Sequence, residues 1–75
     1  MAITILIKHR IPNSKDFLSL DDEGEHGFCI RYNEFTTFDG EECYMSANPQ
    51  FHKDYNEALK LFNLRRESSN PFNPV

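Results

Sequence analysis

FCIRYNEFTTFDGEECYMS, residues 28–46, is the stretch on which the fold turns. Two runs rich in Phe, Tyr, Ile and Thr flank Asp39-Gly40. An Asp-Gly pair between β-prone runs predicts a two-residue hairpin turn, because both central residues must adopt positive φ. In that register Phe38 faces Glu41, Thr36 faces Cys43, Phe35 faces Tyr44 and Glu34 faces Met45. Phe28, Ile30 and Tyr32 then share one parity, and Phe35 has the other. A β-bulge near Asn33-Glu34, or a break there, is expected to return Phe35 to their side.

Moving outward, residues 2–11, AITILIKHRI, alternate with period two. Ile3, Ile5, Ile7 and Ile11 lie on one side with His9 among them, which predicts a half-buried strand with its isoleucines in the core. Pro12-Asn13 ends it. Residues 14–20, SKDFLSL, read as a helical turn capped by Ser14 or as coil. Residues 21–27, DDEGEHG, hold no apolar side chain and predict an exposed, mobile loop. Beyond the hairpin, Phe51, Tyr55, Ala58, Leu59 and Phe62 form a helical stripe, secure over residues 55–65. The helix starts either at an Asn48 cap with Pro49 following or at an Asp54/Glu57 capping box. Arg65 and Arg66 suit its C-terminal dipole. Residues 68–75, SSNPFNPV, predict an extended or frayed tail.

The expected fold is therefore α+β. A three-stranded antiparallel sheet carries one C-terminal helix on one face, with residues 1–67 forming a single domain. The expected core is Ile3, Ile5, Ile7, Phe28, Ile30, Tyr32, Phe35, Met45, Tyr55, Leu59 and Phe62. At 75 residues there is room for one core only. No apolar run approaches the ~20 residues of a membrane span. Ala2 to Ile7 is too short for the apolar part of a secretory signal. Two cysteines are too few for a disulfide scaffold, so an intracellular chain with free thiols is expected.

The charge is uneven. Residues 1–15 carry +3 with no acid, residues 16–42 carry −8 with Arg31 as their single base, and residues 43–75 carry +1. Two acidic clusters stand out: Asp21, Asp22, Glu23 and Glu25, and the hairpin tip Asp39, Glu41 and Glu42. Each reads most simply as a solvated loop or turn. Together they suggest an anionic surface for a protein partner with a basic face. Across a straight strand of residues 28–38 the clusters stand roughly 33 Å apart, too far for one compact patch, and the tip is the better-held of the two.

Other chemistry has weaker anchors. His26, Cys29, Cys43 and His52 offer a metal or thiol-regulator reading, but no C-x-x-C and no H-x-x-x-H spacing supports it. In the hairpin register roughly 23 Å of strand separates Cys29 from Cys43, which excludes a disulfide along a straight hairpin. No nucleophile elbow, P-loop or dinucleotide fingerprint is present, so no catalytic residue or cofactor is assigned and no enzymatic activity is expected. A nucleic-acid module would need Lys8, Arg10, Lys53, Lys60, Arg65 and Arg66 on one face. The acidic middle disfavours it, and neither a direct nucleic-acid partner nor a membrane is expected. Asn70-Pro71-Phe72 resembles the short ligands of eukaryotic endocytic adaptor domains, but the preferred reading is a turn followed by an apolar anchor that tucks Phe72 against the helix. The expectation is a small acidic, non-enzymatic binding protein that occupies a macromolecular partner. By analogy of type alone, phage and viral accessory proteins that inhibit host factors have this character.

Overall fold

In the computed structural model, which describes residues 3–75, the hairpin forms in the register that Asp39-Gly40 dictates. Asp39 has φ 53° and Gly40 φ 78°. Phe38 pairs with Glu41, Thr36 with Cys43 and Phe35 with Tyr44. The sheet has four strands rather than three: β1 (Thr4–Arg10), β2 (Phe17–Asp22), β3 (Phe28–Phe38) and β4 (Glu41–His52). They are antiparallel and lie in chain order. The helix α1 (Tyr55–Glu67) packs against β2, β3 and β4. Sheet and helix make a two-layer α+β domain. No helix among the described residues is long and apolar enough to cross a membrane.

The added strand is β2, in the segment expected to be a helical turn or coil. Leu18 and Leu20 face the helix, while Phe17, Ser19 and Asp21 face the other way, and all five are buried. Leu18 and Leu20 alternate with Ser19 and Asp21, but four residues with Phe17 out of phase are too few to separate a central strand covered on both faces from a helical turn. Ser14 does not cap a helix here. Its hydroxyl accepts from the Asp16 amide at 3.0 Å, within the turn that leads into β2.

The core consists of Leu18, Leu20, Ile30, Tyr32, Ala58 and Phe62, with Ile7, Ile11, Phe28, Ala47, Leu59 and Leu61 packed around it. Several expected members lie elsewhere. The register of β1 shifts between Ile5 and Ile7, so Ile7 pairs with Leu20 on the helix side while Ile5 pairs with Asp21 on the open side. That bulge moves the start of the strand to the opposite face, and Ile3 and Ile5 are about half exposed. Met45 and Tyr55 are also exposed. The bulge expected at Asn33-Glu34 is absent. The irregularity lies in β4 opposite Arg31, between Ala47 and Gln50, where Asn48 has φ 49°. Phe35 therefore stays on the open face. Pro49 is tolerated because β4 is an edge strand.

The helix starts at the Asp54/Glu57 alternative, with the Asp54 carboxylate accepting from the Glu57 amide at 3.0 Å. Ala58, Phe62 and Arg65 are its buried positions. Arg65 is 0% exposed. Its guanidinium donates to the carbonyls of Asn48, Pro71 and Phe72 and to Gln50 Oε1, at 2.7–3.1 Å. Residues 68–75 form no strand or helix, and these bonds hold them against β4. Asn48 Nδ2 donates to the Phe72 carbonyl and Gln50 Nε2 to that of Val75. The Phe72 ring meets Tyr32 edge-on, with centroids 5.1 Å apart. Asn70-Pro71-Phe72 thus adopts the turn-and-anchor arrangement, with the anchor on Tyr32 of the sheet.

Candidate interaction surfaces

The two acidic clusters have different fates. In the first, Asp21 is 2% exposed and Glu23 is buried as well. Arg31, the single base of the acidic segment, lies between them. Its Nε is 2.9 Å from Asp21 Oδ2, and its other end pairs with Glu23. Burial pushes the Asp21 carboxyl above its usual range, against the opposing pull of the Ser19 hydroxyl and the Arg31 guanidinium. Burial also pushes the neighbouring Cys29 thiol up to about 11. A thiol of that kind is a poor nucleophile at neutral pH.

The loop that carries Glu23 is therefore folded down onto the sheet. Its single 3₁₀ turn, Gly24–His26, is closed by the Glu23 amide donating to the Gly27 carbonyl at 2.8 Å. Gly27 has φ 87°, and a Cβ there would stand 2.6 Å from the His52 carbonyl. Only glycine permits that approach. Asp22 is spent on the Gly24 amide, leaving Glu25 exposed. The sequence predicts a loop exposed throughout, and Gly24, Glu25 and His26 are exposed, but its other residues are not. Instead Asp21 and Glu23 are committed to an internal ion-pair cluster and present no free charge. Beside the cluster lies an open depression of about 500 Å³, lined by Glu23, His26, Phe51 and Lys53.

The second cluster is free. Pairing between β2 and β3 stops at Asn33, so the β3–β4 hairpin continues alone over residues 34–45. Asp39, Glu41 and Glu42 are exposed at its tip. On the helix-side face of this arm Phe38 is 74% and Met45 59% exposed, with half-buried Cys43 between them and Glu34 beside Met45. An isolated two-stranded ribbon is marginal in water, so its base needs support. Asp16 supplies it: one carboxylate oxygen accepts from the Phe35 amide at 2.8 Å and the other from the Tyr32 hydroxyl at 2.6 Å. The Phe35 amide would otherwise lack a partner where β2 ends. The Tyr32 bond, reinforced by those from Phe35 and Ser14, holds the Asp16 carboxyl below its usual range. Phe17, Phe35 and Tyr44 meet edge-on across the arm's other face.

The remaining candidate sets are not brought together. Cys29 pairs with Phe51 at one end of the hairpin and Cys43 with Thr36 toward the other. Both cysteines are free thiols. His26 and His52 lie near the Cys29 end, and among the described residues no three His, Cys, Asp or Glu side chains are grouped to hold a metal ion. The six bases are scattered. Lys8 and Arg10 are on the open face of β1, Lys60 and Arg66 are on exposed positions of α1, Lys53 donates to the Glu25 carbonyl, and Arg65 is internal. Sequence reasoning gave the arm its acids but missed Phe38 and Met45 as surface groups, because parity alone assigned Met45 to the core. Comparison with family models, curated proteins and solved structures finds no match to this chain.

Proposed function

We propose that this chain is a non-enzymatic binding protein that docks through the arm formed by residues 34–45. The observation that carries the reading is the overhang itself: apolar Phe38 and Met45 exposed on one face of a supported ribbon, with Glu34 and Glu41 on that face and Asp39 and Glu42 completing the acidic tip. Exposed apolar groups rimmed by charge are the anatomy of a docking surface. The chemistry it fits is a protein partner with an apolar slot and a basic rim. The acids steer encounter and the two apolar side chains hold the complex. Asp21, Asp22 and Glu23 have structural duties and leave the contact set, and Glu25 contributes at most at long range.

The test is a differential pull-down from the native cell with three baits: the wild-type chain, Phe38→Ser with Met45→Ser, and a Lys60→Ala control on the helix. Proteins retained by wild type and control but lost by the arm variant support the reading. An identical set on all three baits overturns it.

A further inference from the structure

The first fifteen residues carry three cations and no acid, and the fold sets Lys8 and Lys15 over aromatic rings at the base of the arm, with Arg10 at a neighbouring register position. On the open face Lys8 and Arg10 occupy successive same-side positions of β1, with Arg10 paired to Phe17. The Lys8 ammonium stands 4.3 Å from the centre of the Phe17 ring. Lys15, in the β1–β2 loop, holds its ammonium 4.7 Å from the centre of the Phe35 ring. Phe17 and Phe35 both meet Tyr44 edge-on, with centroids 5.0 and 5.6 Å apart. Phe17 is buried and serves as the floor, Phe35 is half-buried, and Tyr44 is about half exposed. Among the described residues the ion pairs belong to Arg31, so Lys8, Arg10 and Lys15 have no carboxylate partner. The sequence gives no hint of this grouping, because the cations precede the turn at Pro12-Asn13 while Phe35 and Tyr44 lie on the later hairpin.

We propose that this end of the open sheet face binds single-stranded nucleic acid. Three uncompensated cations along one side match a run of phosphates. The half-exposed Tyr44 ring offers a surface on which a splayed base stacks, as sheet-face aromatics do for single strands. A duplex keeps its bases stacked inside and meets only the cations, so single strands are preferred. This reading goes beyond the docking function above and uses the other face of the arm.

The experiment is fluorescence anisotropy of labelled 15-mer oligothymidylate and oligouridylate with the full chain, between 50 and 200 mM salt. The duplex of the same length and unlabelled polyglutamate serve as competitors. Binding should weaken with salt at a logarithmic slope of about −2, since about 0.7 counterions leave per neutralised phosphate of a single strand. Tyr44→Ala should weaken it between about five- and 150-fold, as loss of a stacked base does, while Tyr44→Phe should bind like wild type. Lys8→Gln with Lys15→Gln should flatten the slope by about 1.4, at about 0.7 per lost contact, and leave the arm's docking intact. Neutralising Asp39, Glu41 and Glu42 should leave oligonucleotide binding unchanged or tighter, which separates this site from the docking reading. The proposal is overturned if neither oligonucleotide binds at 50 mM salt, or if Tyr44→Ala and Tyr44→Phe both bind as wild type. Equal competition by polyglutamate would also overturn it, because the patch would then select an acidic polypeptide.

Discussion

The two acidic clusters have similar composition and opposite fates. Asp21 and Glu23 close over Arg31 and leave the surface, whereas Asp39, Glu41 and Glu42 stand at the end of a ribbon that extends beyond its neighbouring strand. What separates them is the position of a counter-charge. The chain has Arg31 on β3 beside Asp21 on β2, and the loop delivers Glu23 from above. Among the described residues no base pairs with the acids of the arm tip. Acidity in a sequence therefore marks a surface only where the fold brings no cation to it.

The sharpest break in this comparison comes from removing Arg31. Arg31→Met leaves two buried carboxylates without their partner and should cost about 3–5 kcal/mol in urea unfolding. Gly27→Ala should act on the same cluster from outside, because its Cβ forces the loop off the end of β4. Truncation after Glu67 comes next. It strips two of the acceptors from the buried Arg65 guanidinium, and a loss of about 2–3 kcal/mol is expected from those charge-assisted bonds. An unchanged unfolding midpoint would show that the tail only decorates the surface. Asp16→Ala should cost about 1–3 kcal/mol by orphaning the Phe35 amide and the Tyr32 hydroxyl, with amide exchange rising in residues 34–45 first. Smallest of all, Asp39→Asn with Glu41→Gln and Glu42→Gln should shift stability by no more than about 0.5 kcal/mol.

Acid separates Asp16 from Asp21. The Asp16 pKa is lowered in the folded protein, so its stabilisation is complete above the ordinary value of ~3.9 and disappears as pH falls through the lower folded value. The Asp21 pKa is raised, so the folded state takes up that proton more readily than the unfolded chain, and stability is gained as pH falls through the raised value toward ~3.9. Melting temperatures between pH 6 and 3 should therefore fall less steeply in Asp16→Asn than in wild type, and more steeply in Asp21→Asn. The opposite ordering would mean that the two carboxylates have been assigned the wrong environments.

Where the sequence was legible, a local rule had no competitor. Asp39-Gly40 admits one turn type, and the apolar stripe admits one helix over residues 55–65, although two local rules compete for its start and the Asp54 cap wins over Asn48. Where it was not, a long-range contact decided. The isoleucine alternation from Ile3 to Ile11 was real, but a bulge before Ile7 turned its first half toward solvent. β2 concealed itself because both of its faces are covered. Leu18 and Leu20 against Ser19 and Asp21 was the period-two signal available there. By sequence Arg65 suits the helix dipole, yet it continues the buried positions Ala58 and Phe62 at helical spacing, and its acceptors come from Asn48 and Gln50 of β4 and from beyond the helix. The lone Arg31 among nine acids was the one trace in the sequence that the first cluster is internal.

The central claim, that the arm docks while the Arg31 cluster only builds the body, is tested most directly by binding kinetics. A partner identified by the differential pull-down would be measured at two salt concentrations against the wild-type chain and three variants. Neutralising Asp39, Glu41 and Glu42 should slow association, and added salt should reproduce the loss, because rim charges act on the on-rate and are screened beyond about 8–10 Å. Phe38→Ser with Met45→Ser should speed dissociation instead. Glu25→Gln should match wild type. If both arm variants bind with wild-type rates while Glu25→Gln does not, the docking surface lies at the 21–27 loop and the account is wrong.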